Sequence, residues 1–408
     1  MTDKTDLLRA LIEGPTDASR EGEALALLRG ATTAELNDMI VGTDMHRLFA
    51  SLDDRLLGPD NRTALIDLLA RERQSELSVA STAAVIYGLQ RGWSGRAREE
   101  AIRDLLLAWA GVELTHLKNQ INSRTDVYDL EGVVFGAVDD GDVRRQILDH
   151  LAAEADTFAC DEAKIISDID DTAFCRLHDT RYPKGTLYPG LLALYDALDH
   201  GPHDDPFSLG DLTFVTARPG DVLGLIETAT RSSLAKAGIA QSSVITGTWL
   251  SLFTHDLMAG QKLVNIEHYH GLFPEYHLVF LGDSGQGDVI LSEKLAERFP
   301  GTLRAAFIHD VVDTPDARRA EYAAKGIFFH DTYVGCATRA FELGLISRAG
   351  LDRVVSESRT GLDGVRWSSP DQESRMRSLV QRDADAAASA VPGITVDAST
   401  GTPTGSAS

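Results

Sequence analysis

A chain of 408 residues, 43% of them hydrophobic, can bury more than one core. Its 62 Asp and Glu outnumber 39 Lys and Arg to give a formal charge of -23, which argues against the clustered basic surfaces that non-specific nucleic-acid or anionic-membrane binding requires. Cys160, Cys175 and Cys336 are too few and scattered for a disulfide framework or a zinc cluster. No charged-then-apolar leader opens the chain and no run approaches a membrane span, so the expected setting is the cytoplasm.

The first 155 or so residues read as an all-helical region. Leu7, Leu8, Leu11 and Ile12 make a short apolar stripe ended by Gly14-Pro15, and Thr32-Thr-Ala-Glu35 is a capping box before Leu36, Met39 and Ile40. Gly58-Pro59 and Gly92-Trp-Ser-Gly95 separate further helical patterns, after which Ala101, Ile102, Leu105, Leu106 and Trp109 give the clearest helical period. No catalytic constellation and no fixed-period repeat occurs there.

Beyond it the apolar pattern changes to short runs alternating with helical stretches, which implies a parallel sheet covered on both faces. Ala163-Lys-Ile-Ile-Ser-Asp168-Ile-Asp170-Asp171-Thr172 is a buried-strand pattern that stops at three carboxylates and a hydroxyl. Leu212 to Thr216 forms a second, followed by Arg218 and Pro219, with a helix expected to about Ala237 and a short strand at Ser243 to Thr246. Gly260-Gln-Lys262 sets a lone cation in a helical pattern, and His277-Leu-Val-Phe-Leu-Gly282-Asp283 leads to Asp288. Ala305 to Ile308 and Gly326 to Phe329 add two further strands. Residues 349–382 read as a polar helical extension, and 383–408 as a tail without enough apolar surface to hold a fold. His255, His268, His270 and His277 match no zinc spacing and read as surface or capping residues.

A strand ending in Asp-x-Asp-x-Thr, one ending in Thr, a Lys, and one ending in Gly-Asp-x4-Asp form a series that resembles the haloacid-dehalogenase (HAD) superfamily, over roughly Phe158 to Leu345. The resemblance implies an HAD-type Rossmann-like three-layer α/β domain at 158–348 with a central parallel sheet. Phosphoryl transfer explains the residue types, since a catalyst must offer a nucleophile in line, protonate the leaving oxygen and neutralise the anion. Asp168 fits the nucleophile and Asp170 the acid-base residue; Thr216 would bind a phosphoryl oxygen and Lys262 would hold nucleophile and phosphate. Asp283 would complete an Mg2+ site with Asp168 and, as the resemblance implies, the Asp170 carbonyl, while Asp288 would orient Lys262 or a metal-bound water. Asp171 reads as the cap of the turn, Thr216 alternatively as a helix N-cap, and Arg218 either as a phosphate ligand or as the partner of a carboxylate.

A closer resemblance lies in Asp-Ile-Asp-Asp-Thr, Phe273-Pro274, Gly282-Asp-Ser-Gly-Gln286 and Ala305-Ala-Phe-Ile-His-Asp310-Val, which look like the catalytic domain of actin-patch-type phosphatidate phosphatases and their bacterial relatives. That family typically carries Ile-Arg-Asp where His309 stands here, and Ile/Val-Lys after Thr172 where this chain has Ala-Phe-Cys-Arg176. The short segments from Thr172 to Leu212 and from Thr216 to Lys262 leave no room for a large cap, so an open site and a bulky substrate are expected, phosphatidate-like or, alternatively, a phosphoprotein or nucleotide end. A third reading makes the helical region a partner-binding module and catalysis incidental. A local basic face of Arg176, Arg181, Lys184 and Arg218 is the candidate for attracting phosphate despite the net charge.

Overall fold

The computed structural model describes residues 3–52, 60–90, 95–123, 129–157, 160–210, 212–219, 243–247 and 255–390, without the side chains of 216–219, 243–247, 255–258 and 390. It divides into two units. One holds residues up to Asp161 together with the later segment Ile266–Tyr276; the other holds most of the remainder.

Among the described residues 3–157 there is no strand. The acidic composition is put to use at helix starts: Asp3, Asp17, Asp44, Asp60 and Asp140 each accept backbone N–H bonds that the first helical turn would leave unpaired. The Thr32-Glu35 capping box forms as the sequence indicates. Ala101, Ile102, Leu105 and Leu106 are buried, whereas Trp109 lies past the end of that helix at Leu107 and is half-buried. The helix breaks at Gly58-Pro59 and at Gly92 to Ser94 fall outside the described residues.

The second unit is a Rossmann-like α/β fold. Its strands are β1 (Ala163–Ser167), β2 (Leu212–Pro219), β3 (Ser243–Gly247), β4 (His277–Asp283), β5 (Leu303–His309) and β6 (Ile327–His330). They form a six-stranded sheet in the order β3-β2-β1-β4-β5-β6, and β1 runs parallel to β2 and β4, as β5 does to β4 and β6. The order reverses between β1 and β4, so crossover helices leave on opposite faces and a crevice opens at the carboxyl ends of those two strands. β2 continues as strand through Pro219, past Thr216 where the sequence suggested a stop; the helix expected from there to Ala237 lies outside the described residues.

One face of the sheet, carrying Ile165, Phe214, Val279, Leu281 and Phe307, is covered by helices Leu191–His200, Tyr333–Glu342, Arg348–Asp363 and Pro370–Ala390. The last two correct the reading of a polar extension. Leu351, Val354, Val355 and Leu362, then Met376, Val380, Ala384 and Ala387, form apolar stripes buried in that core. The final helix also runs to Ala390, beyond the expected start of the tail at Asp383, because Ala384 and Ala387 extend its buried stripe. Residues 391–408 lie outside the described part.

Candidate active site

Asp168 follows β1 directly, and its backbone N–H continues the ladder by donating to Leu281 O at 2.9 Å. The parallel register sets Ser167 beside Leu281, so Asp168 and Asp283 leave the sheet at the same edge, at the β1/β4 switch point. Asp288 begins the helix Asp288–Arg298, and Gly282 is what lets it approach: a Cβ there would sit 2.7 Å from both Cβ and Oδ2 of Asp288.

Lys262, from the helix His255–Leu272, joins the two ends of this cluster. Its ammonium donates to Asp168 Oδ1 at 2.7 Å and to Asp288 Oδ1 at 2.6 Å, all three side chains being buried. Asp288 Oδ2 accepts from the Asp283 N–H at 3.3 Å. Asp283 in turn accepts from the Gly285 N–H at 2.7 Å and from Gln286 Nε2 at 3.2 Å. Gln286 Nε2 also reaches the Asp170 carbonyl, at 3.5 Å. Asp168 Oδ2 is buried with no hydrogen-bond partner.

These contacts leave three buried carboxylates sharing one ammonium. Burial pushes the Asp168 carboxyl up to about 7, with Asp288 and Asp170 adding to the rise and Lys262 opposing it. Asp283 is raised well above its ordinary range by burial and then by Asp288 and Asp168. Lys262 is held firmly charged, its two carboxylate partners outweighing its own burial. Asp168, Asp283 and Asp288 each bring an oxygen within 4.8 Å of the others, a set that could hold a metal ion. The oxygen-only donors and the orphaned Asp168 Oδ2 suit a hard divalent cation.

Asp170 and Asp171 diverge in role. Asp171 has a left-handed backbone, φ 58°, and its buried carboxylate accepts the N–H groups of Arg176 at 2.7 Å, Leu177 at 2.9 Å and His178. It clamps the flap that follows β1, as a turn cap would. Asp170 instead pairs with Arg176 Nη1 at 3.3 Å. Thr216 and Arg218 lie on β2, but their side chains are outside the described part.

A buried network near the flap is not encoded by any of the sequence motifs. Arg181 donates from Nε to Asp179 Oδ1 at 3.0 Å and from Nη2 to Asp179 Oδ2 at 3.1 Å and to His309 Nε2 at 2.9 Å. With Nε2 accepting, His309 donates from Nδ1 to the Asp171 carbonyl at 2.9 Å. Burial, then Arg181, lowers the imidazole to about 4, so it is neutral. Tyr188 OH also donates to Asp179, at 3.0 Å. This corrects the expected basic face. Arg181 is buried against Asp179, and the Lys184 ammonium is committed to the carbonyls of Leu177 and Asp179 at 2.8 Å and 3.1 Å. Of the four histidines around Lys262, His268 stacks on Phe135 at 4.5 Å and His277 accepts from Arg304 at 2.7 Å. Among the described residues none joins a metal-ligating group.

No curated relative and no solved structure matches the chain. Residues 163–310, which hold every carboxylate of the cluster, match the family model described as the phosphatidate phosphatase APP1 catalytic domain. The α/β segment is thus similar to the APP1-type phosphatidate phosphatase catalytic domain, the family that the series from Asp168 to Asp310 resembles.

Proposed function

We propose that the chain is an Mg2+-dependent phosphomonoester hydrolase of HAD type that works through an aspartyl-phosphate on Asp168. The observation that carries this reading is the asymmetry of Asp168. Lys262 fixes one carboxylate oxygen, while the other is buried without a partner at the switch-point crevice beside Asp283. A merely structural aspartate would have both oxygens satisfied or exposed.

In the proposed reaction an Asp168 oxygen attacks phosphorus in line as the bond to the ester oxygen breaks, and Asp170 gives that oxygen its proton. Asp170 then takes a proton from the water that attacks the aspartyl-phosphate, freeing Asp168 and inorganic phosphate. Lys262 keeps the nucleophile oriented, and Asp288, whose oxygens are engaged by Lys262 and the Asp283 N–H, keeps Lys262 in place. Thr216 would donate to a phosphoryl oxygen. Mg2+, held by Asp168, Asp283 and the Asp170 carbonyl, would neutralise the transferring group.

The substrate proposed is bulky and phosphatidate-like. The family match supports it, and so does the plain β1–β2 connection, a flap and the single helix Leu191–His200 with no inserted domain. The test is a panel of a phosphatidate, a phosphopeptide and sugar phosphates with Mg2+, alongside trapping of beryllium fluoride. Turnover of any of them in excess chelator refutes the metal role. Equal fluoride trapping by Asp168→Asn refutes the nucleophile.

A further inference from the structure

One cation of the flap is unused by this mechanism. Arg176 Nη1 donates to Asp170 Oδ1 at 3.3 Å, and its guanidinium lies 5.1 Å over the Phe174 ring. Its backbone N–H is fixed by Asp171 at 2.7 Å, so the side chain reaches out from a clamped point. It is 32% exposed where Asp170 is 14% and Asp168 7% exposed, which stations it on the solvent side of the carboxylates.

The charges of the site call for such a group. Asp168, Asp283 and Asp288 bring three carboxylates together, Asp170 is near enough to act on Asp168, and Lys262 is committed to two of the three. A divalent ion and one ammonium leave a fully ionised cluster still negative, so an arriving phosphate dianion is repelled unless a further cation meets it. Among the described side chains of the expected basic face, Arg181 and Lys184 are committed to the flap itself. Arg176 has five N–H donors, and the described contacts of its guanidinium with acceptor oxygens use one. Its contact with Asp170 is longer than a tight charge-assisted bond of about 2.7–2.9 Å, whereas those of Lys262 fall at 2.6 Å and 2.7 Å. The Arg176 pair is the exchangeable one.

We propose that Arg176 is a substrate-binding residue that leaves the Asp170 carboxylate for an oxygen of the substrate's phosphoryl group, which turns Asp170 toward the ester oxygen. This rests on the phosphomonoester reading above. Inorganic phosphate titrated calorimetrically into the Mg2+-loaded full chain tests it without turnover. Arg176→Gln should weaken phosphate binding roughly ten- to hundredfold and raise KM comparably, with kcat changed only a few-fold. Arg176→Lys should recover part of the affinity, since a point charge replaces a fork, and it carries the test should the Gln variant fail to fold. Phosphate binding that is unchanged in either folded variant, or absent in the wild type, overturns the proposal, as does a loss confined to kcat. A wild type that binds phosphate but turns over no phosphomonoester refutes the hydrolase reading and leaves the assignment of Arg176 standing.

Discussion

Each unit buries a lysine against a carboxylate, Lys118 in one and Lys262 in the other, and the two are treated oppositely. In the helical unit Lys118 meets Glu275 at 2.7 Å with both side chains 2% exposed, and the surroundings complete the pair: Lys118 also donates to the Leu272 carbonyl at 3.0 Å, and Thr115 donates to Glu275 at 2.8 Å. Among the described contacts one cation faces one anion. In the α/β unit Lys262 is equally buried, yet it faces Asp168 and Asp288 with Asp283 alongside, and one oxygen of Asp168 has no partner. Breaking a closed pair leaves an uncompensated buried charge, whereas an open cluster carries like charges that a bound cation would relieve.

The contrast breaks most visibly at the closed pair. Lys118→Met strands Glu275 in a dry core and should cost about 3–5 kcal/mol in urea unfolding, whereas pairing it with Glu275→Leu should restore most of the loss. If the double variant is as unstable as the single one, the pair is not closed in the sense used here. At the open cluster the sign reverses. Burial and like charges raise Asp283, so the folded state holds a proton that the unfolded state releases near pH 4. Metal-free wild type should therefore lose stability as pH rises from about 4 through the raised value. Asp283→Asn removes that penalty and should melt a few degrees higher than the wild type at pH 8 in chelator, with the gap closing below about pH 4. An equal or lower melting temperature at pH 8 would show the cluster to be settled without metal. The smallest effect belongs to an ordinary feature of the helical unit: Thr32→Ala should cost about 1 kcal/mol through the capping box, wherever the charges lie.

Much of the candidate site could be read from the chain because strand-end chemistry is local: Asp168, Asp170 and Asp283 announce themselves as carboxylates after apolar runs, and the structure gathers Asp168 and Asp283 with Lys262 and Asp288. The Asp179-Arg181-His309 network could not, since its bonds join a flap to a strand 128 residues away and no spacing encodes them. Arg176 could be listed as basic, but its position over Phe174 and against Asp170 depends on the Asp171 clamp. The C-terminal helices are hard to read from sequence for a different reason. Each carries one apolar stripe in a charged background, so average polarity hides Leu351, Val354 and Val355, or Met376 and Val380, although their three- and four-residue steps are present.

The return of Ile266–Tyr276 to the helical unit limits how this protein can be taken apart. Lys118 is bonded to Glu275, Asn119 to Tyr276 and Phe135 stacks on His268, so the unit closes only when a strip from far downstream is laid into it. Removing residues 1–155 would take away the partners of that strip. Such a cut would expose Ile266, Tyr269 and Leu272, on the very helix that carries Lys262, with Phe273 just past its end, and would orphan Glu275. The helical unit is therefore not encoded by one contiguous segment: a recombination junction between residues 118 and 275 would separate lysine from glutamate.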